Sequence, residues 1–290
     1  MAGHIAFIGF GEAGQTISRG LGEEGVGGMR AYDLLFDQNL LKKEASTLDV
    51  GVARDHVDAV RGADIVFLAV TASSSLDAAR SCLPGLSAGQ LLLDINSVSP
   101  QRKLETAKLV APSGACYVDV AVMAPVAPYK HKVPLLVGGP GAREFMGRKD
   151  RLGLVAEFVS DEVGQACAVK MFRSIMVKGL EALMLESMLA ASRYGVEDRV
   201  LASLQESFPG FDWERMSGYM IERIVSHGRR RAEEMREVAA TLREIGLEPV
   251  MAEATARRHQ WLADLEPKKF LPARTEERER LLAAIRAACG

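Results

Sequence analysis

The stretch His4-Ile5-Ala6-Phe7-Ile8-Gly9-Phe10-Gly11-Glu12-Ala13-Gly14 decides how the first half of this chain folds. Its apolar start predicts a buried strand, which runs into a Gly-x-Gly-x-x-Gly turn and then a helical pattern. In that layout Gly9 permits the tight turn, Gly11 lets backbone approach a pyrophosphate, and Gly14 lets the helix pack on the strand. The free N–H groups and the dipole of the helix then face the phosphates. A second short strand ends on Asp33, about twenty residues beyond the glycines, where a carboxylate can accept hydrogen bonds from both ribose hydroxyls. Together these features predict a dinucleotide site. A glycine-rich surface loop is the bland alternative, but it does not explain the position directly behind a buried strand. Asp33 by itself is also readable as a simple turn residue. Its carboxylate repels a 2′-phosphate, Leu34 adds no compensating charge, and strand parity places Arg30 on the opposite face. NAD is therefore the expected cofactor, with NADP as the alternative.

The 290 residues suffice for one large or two medium domains. With 48% hydrophobic and 26% charged residues, the composition is that of an ordinary globular protein. A net charge of -2 gives no basic field to recruit nucleic acid or an anionic membrane surface. Cys82, Cys116, Cys167 and Cys289 lack close spacing, and the histidines form no metal pattern. The cysteines read as small buried apolar residues in a reduced compartment. Strand residues begin almost at the N-terminus, leaving no space for a signal peptide, and no apolar run reaches membrane-spanning length. A cytoplasmic protein is the expectation.

Beyond the glycine turn, short apolar runs alternate with helical patterns. Strands are predicted at 4–9, 29–33, 64–70, 90–95 and 115–121, with a weak one near 51–53. Helices are predicted near 12–25, 38–46, 55–61, 74–83 and 100–110. This alternation implies an α/β fold, a Rossmann-type doubly wound parallel sheet with helices on both faces. Two further strands, near 133–138 and 154–159, extend it. From Glu162 to Tyr194 the sequence reads as one helix terminated by Gly195, which would span about 50 Å. Everything after it reads as helical, with breaks at Pro209-Gly210, Gly246, Pro249 and Pro267. The expected organisation is a dinucleotide-binding domain over 1–162 and an all-α domain over 163–290, joined through the long helix.

That helix is largely apolar, yet Lys170, Ser174, Lys178 and Glu181 recur at spacings of four, four and three and share one face. The strip is readable as a narrow solvent-facing stripe, or as one facing the interdomain cleft where a nicotinamide projects. In the second reading a lysine could move a proton to or from a substrate hydroxyl, because desolvation lowers an ammonium pKa toward neutrality. His227 and Arg231, four apart on a later helix, could project a polar pair toward a ligand. Equally, they could flank a solvated run, Arg229-Arg230-Arg231.

The whole chain resembles the β-hydroxyacid dehydrogenase superfamily, the relatives of 6-phosphogluconate dehydrogenase and 3-hydroxyisobutyrate dehydrogenase. The resemblance rests on Gly9-Phe10-Gly11-Glu12-Ala13-Gly14, on Val70 closing its strand, and on Leu93-Asp94-Ile95-Asn96-Ser97-Val98-Ser99-Pro100. It rests also on Gly164-Gln165 followed by Lys170, similar to the family's glycine-then-lysine motif. It implies hydride exchange at a hydroxyl-bearing carbon, Lys170 as general acid/base, Ser97 beside the nicotinamide ribose, and Phe10, Glu12, Ala13 and Val70 against the dinucleotide. His227 through Val238 looks like a distinct branch with its own helical domain.

Two departures from the family pattern stand out. Asp119-Val120-Ala121-Val122-Met123-Ala124-Pro125 replaces a segment whose serine and glycine amides hold a substrate carboxylate. Met123 lacks the hydroxyl and Pro125 lacks an N–H, so the pocket beside Met123 and Ala124 is expected to be more apolar. Ser174 stands where the family has asparagine, with one donor instead of two and a shorter reach. The expected activity is thus oxidation or reduction of a small hydroxy acid or related alcohol. Imine reduction, 6-phosphogluconate-type oxidative decarboxylation and a non-catalytic dinucleotide sensor are the alternatives. Lys178, His227 and Arg231 are the more distant substrate-binding candidates, no metal is expected, and the apolar long helix predicts a homodimer or higher homo-oligomer.

Overall fold

The computed structural model describes residues 4–289. The predicted alternation produces strands β1 (Ile5–Ile8), β2 (Met29–Tyr32), β3 (Gly51–Val52), β4 (Ile65–Leu68), β5 (Leu91–Asp94), β6 (Cys116–Val122), β7 (Leu135–Gly138) and β8 (Ala156–Ser160). Between them lie helices α1 (Glu12–Glu23), α2 (Lys42–Thr47), α3 (His56–Val60), α4 (Ser75–Cys82), α5 (Pro100–Val110), α6 (Val126–Tyr129) and α7 (Ala142–Arg148). The strands form one sheet in the order β3-β2-β1-β4-β5-β6-β7-β8. Pairing is parallel throughout except between β6 and β7. That one antiparallel pair needs no crossover helix, which is why only the short α6 and a 3₁₀ turn connect it.

Period-two alternation sorts the side chains onto two buried faces. Ile5, Phe7, Ile65, Phe67, Leu91, Leu93, Val118 and Val120 enter one core, where Phe7 stacks on Phe67 at 5.1 Å. Ala6, Ile8, Val66, Leu68, Leu92 and Tyr117 enter the other. Both faces being covered explains why these strands read as unbroken apolar runs.

The chain divides into two compact units, Met1–Lys170 and Met171–Gly290. A single helix, α8 (Gln165–Ser192), runs across the division and starts and ends two or three residues inside the predicted range. The second unit is helical: α9 (Glu197–Ser207), α10 (Trp213–Glu244), α11 (Val250–Asp264) and α12 (Arg278–Cys289) follow. Leu185, Met188, Ile221, Ile224, Leu262, Leu281 and Ile285 form its core. Asp212 caps α10 by accepting from Arg215 N at 3.1 Å, and Trp213 packs on Phe211.

Several expectations are corrected. The helix placed at 38–46 is a 3₁₀ turn at Leu34–Phe36 followed by the short α2, with Asn39 and Leu41 at positive φ interrupting the run. Cys82 and Cys167 are buried, but Cys116 is half-buried and Cys289 exposed, so the cysteines are not uniformly core residues. Finally, α10 is bent at His227, whose φ and ψ of -136° and 15° leave the helical region.

Candidate active site

The strand register sets the site. Ile8 pairs with Tyr32 on one side and Leu68 on the other, Leu68 pairs with Asp94, and Asp94 with Asp119. The residues just past these positions, Gly9, Asp33, Val70, Ser97 and Met123, therefore follow one carboxyl edge of the sheet. The strand order reverses at β1, between β2 and β4, and such a switch point is where open α/β sheets bind ligands.

Gly9 has a φ of +91°, and a Cβ there would lie 2.3 Å from Ala69 O and 3.0 Å from Val70 Cγ1, so only glycine fits between β1 and β4. At Gly14 a Cβ would meet Gly9 O at 2.7 Å, whereas at Gly11 it would meet nothing within 4 Å. The turn is thus packed from below and open above Gly11, which caps α1 without any side-chain hydrogen bond. Phe10 is fully buried, Ala13 lies against the same core, and Glu12 is exposed in the first turn of α1. Open backbone at the start of a three-turn helix fits the diphosphate of a dinucleotide. Asp33 accepts from Phe10 N (2.7 Å) and from Leu35 N (2.9 Å), so its carboxylate ties the glycine turn to the end of β2. Arg30 points away, as its parity predicts, and donates to Arg61 O.

Ser97 lies exposed on the loop after β5, and Lys170 is half-buried in the second turn of α8. Lys170 Nζ donates to Ser97 Oγ at 2.8 Å, a charge-assisted length for an ammonium. Ser99 caps α5 by accepting from Arg102 N, with Pro100 at the first helical position, so the Ser-x-Ser-Pro run closes the loop and starts the helix. Met123 N is committed to Pro134 O (2.9 Å), and Pro125 contributes no N–H. Met123 and Ala124 are half-buried.

Beneath Ser97 and Lys170 lies a buried charge cluster that reading by motif missed. Asp94, Lys103 and Asp119 are each fully buried. Lys103 Nζ donates to Asp94 O at 2.5 Å and lies 3.2 Å from Asp94 Oδ1 and 3.5 Å from Asp119 Oδ1. Burial acts to lower the ammonium pKa, but the two carboxylates outweigh it and hold Lys103 above its ordinary value. Asp94 also accepts from Asn96 N, Asn96 Nδ2 and Tyr117 Oη. Asp119 Oδ2 accepts from Gly164 N (3.0 Å) and Cys167 N (3.2 Å), which caps α8. The sequence does carry a signal for this: Lys103 shares the buried face of α5 with the uncharged Thr106 and Val110, where a charge stands out.

Farther along α8 the polar strip sinks inward. Ser174 is half-buried, Lys178 and Glu181 are buried, and a purely solvent-facing stripe is therefore excluded for the last two. Lys178 pairs with Glu234 at 3.1 Å, and burial lowers its pKa. Arg231 forks onto Glu181 through Nε (2.9 Å) and Nη2. Neither cation presents a bare charge. Arg231 thus departs from the solvated run expected of Arg229-Arg230-Arg231, of which only the first two are exposed. His227 is half-buried at the bend, its pKa lowered by burial, and no pairing with Arg231 forms. Among the described residues no cluster suits a metal ion, and no helix is long and apolar enough to cross a membrane.

Comparison with known proteins agrees with this geometry. The family described as NADP oxidoreductase coenzyme F420-dependent matches residues 4–97, and a domain of unknown function, DUF1932, matches residues 191–262. A conserved hypothetical protein from Sinorhizobium meliloti is 36% identical with a TM-score of 0.85, the alignment covering 99% of this chain and 97% of that one. A conserved protein of unknown function, described as structurally similar to 3-hydroxyacid dehydrogenases, is 32% identical with a TM-score of 0.77 over 90% of this chain and 97% of its own. The mitochondrial 3-hydroxyisobutyrate dehydrogenase of Rattus norvegicus is 26% identical over 216 residues, which make up 72% of this chain and 63% of that protein. With its glycine turn, its sheet order and these relatives, the chain belongs to the β-hydroxyacid dehydrogenase superfamily.

Proposed function

We propose that this protein is a nicotinamide-dinucleotide-dependent oxidoreductase acting at a hydroxyl-bearing carbon of a small molecule, with Lys170 as the general acid/base. The observation that carries this reading is the 2.8 Å contact between Lys170 Nζ and Ser97 Oγ at the same sheet edge as the glycine turn. Gly9, Phe10, Gly11, Glu12, Ala13 and Gly14 would hold the diphosphate, Asp33 the adenosine ribose, and Val70 and Ser97 the nicotinamide end. Bound there, the nicotinamide would accept or deliver the hydride. In the oxidation direction a neutral Lys170 amine takes the hydroxyl proton, and in reduction the ammonium returns it. Ser97 orients that nitrogen, and Ser174, one turn on, supplies a further hydroxyl on the same helix face.

The Asp33 carboxylate favours NAD over NADP. Met123, with its N–H already committed, and Pro125, with none, favour a substrate whose carboxylate is not gripped at that segment. The exposed side chains of Phe172, Met176 and Leu183 on α8 favour a homo-oligomer, a reading that a monomer in light scattering at micromolar concentration would remove.

The deciding experiment follows NADH absorbance with NAD and then NADP over 3-hydroxy acids and uncharged or aryl alcohols, for wild type and Lys170→Ala. Turnover with NAD that falls at least about a hundredfold in the variant supports the reading. Turnover indifferent to Lys170→Ala removes Lys170 from the chemistry. NADH binding without turnover moves the weight to an imine substrate or a sensor.

A further inference from the structure

The Ser97–Lys170 contact joins two parts of the chain that are far apart in sequence, a loop after β5 and the second turn of α8. Each part is anchored from below by a different buried carboxylate. Asp94 organises the loop: its Oδ1 accepts from both Asn96 N and Asn96 Nδ2, and its Oδ2 from Tyr117 Oη at 2.7 Å. Asp119 organises the helix: its Oδ2 accepts from Gly164 N and Cys167 N, the donors that open α8 just before Lys170. Asp94 and Asp119 are direct neighbours across the β5–β6 ladder, so two like charges meet in the core. The one cation bridging them, among the described residues, is Lys103. The ammonium donates to Asp94 O and sits within ion-pair distance of Asp94 Oδ1 and of Asp119 Oδ1, the latter a buried oxygen with no hydrogen-bond partner among the described residues. The other titratable groups facing it are Tyr117 and Cys167, both held protonated by burial.

We propose that Lys103 is a positioning residue for Lys170: it clamps the Asp94 loop and the Asp119 helix cap together, so that Ser97 and Lys170 meet in one geometry. The proposal rests on the reading of Lys170 as the proton-transfer group. Without Lys103 the two carboxylates repel and each arm loses its common anchor. The contact above them then samples a range of separations, and proton transfer is sensitive to such misplacement.

The test compares wild type, Lys103→Met, Tyr117→Phe and Lys170→Ala as full chains. Lys103→Met leaves two buried carboxylates without their cation, so Lys103→Met/Asp119→Asn, which carries the native net charge of the cluster, is measured beside it. The first readout is amide hydrogen exchange over segments 94–100 and 164–172. Loss of Lys103 is expected to speed exchange by about tenfold or more in both segments at once, and Tyr117→Phe in the first alone. The second readout is kinetic, with NAD and 3-hydroxyisobutyrate, 3-hydroxypropionate, L-serine and benzyl alcohol as probes. In the folded variants kcat is expected to fall about tenfold or more while KM for alcohol and for NAD stays within about threefold.

Acceleration confined to one segment, or a folded Lys103 variant whose kcat stays within about twofold of wild type, overturns the proposal. Where no probe is turned over, exchange alone decides between the two outcomes. If Lys170→Ala leaves turnover intact while both segments loosen on loss of Lys103, the clamp stands as structure and the assignment of Lys170 is what fails.

Discussion

Lys170 Nζ and Ser97 Oγ stand 2.8 Å apart, a side-chain contact that spans 73 positions of sequence and brings a lysine of α8 to the carboxyl end of β5. Replacing Ser97 by Ala removes the hydroxyl that orients the amine but leaves the amine itself. The expected result is a fall in kcat of about tenfold, smaller than that for Lys170→Ala, because hydrogen bonds to charged groups contribute about 1.5–3 kcal/mol. Steady-state kinetics of the two variants side by side checks the ranking. Equal losses would make Ser97 part of the chemistry itself.

The proposed function makes Asp33 the hinge of cofactor choice. Its carboxylate accepts from Phe10 N and Leu35 N, while the neighbouring Leu34 side chain is exposed. Asp33→Asn retains one acceptor oxygen and removes the charge, and Leu34→Arg adds a cation for a 2′-phosphate. The double variant is expected to move the ratio of NADP to NAD affinity by about tenfold or more toward NADP. Nucleotide titrations read by NADH and NADPH fluorescence measure that ratio.

Arg231 and Glu181 form a buried, forked ion pair, each less than a tenth exposed. Removing one partner strands the other charge in the core. Arg231→Met is expected to cost about 3–5 kcal/mol, whereas Arg231→Met/Glu181→Leu recovers most of that loss. Denaturant melts of both variants test the difference. A double variant no more stable than the single would show that the residual cost comes from packing.

His259 is fully buried, and both ring nitrogens lack a hydrogen-bond partner among the described residues. Burial, with Arg231 beside it, pushes its pKa down to about 4 from an ordinary 6.5. The carboxylate of Glu234 acts the other way without reversing the shift. The unfolded chain binds the proton more readily than the folded one. The stability is therefore fully present above pH 6.5 and lost progressively as pH falls toward about 4. The shift corresponds to about 3 kcal/mol. Stability curves at several pH values should show that slope in wild type and a shallower one in His259→Gln.

Periodicity carried most of the fold into view. Unbroken apolar runs such as Ile65–Leu68 mark strands covered on both faces, and a glycine with no room for a Cβ, as at Gly9, marks the turn behind the first of them. What periodicity misread was local. The helix read over 38–46 begins only at Lys42, because Asn39 and Leu41 take positive φ and split the run. The bend at His227 left no trace in a helix free of proline, because what accompanies it is not local propensity but a close approach at Gly228, where an added Cβ would lie 2.9 Å from His259 O.

The sequence alone determined the glycine turn, the mostly parallel sheet, the long helix and the face that Lys170, Ser174, Lys178 and Glu181 share. All of these follow from short-range steric rules with periods of two and 3.6 residues. Only the tertiary structure decided which of those polar groups meet what. Lys170 reaches Ser97 while Lys178 and Arg231 are consumed by Glu234 and Glu181, and Lys103 disappears into the core between Asp94 and Asp119. The reason is physical: a buried charge is tolerable only where its counter-charge arrives from elsewhere in the chain, and spacing along one segment contains no record of that arrival.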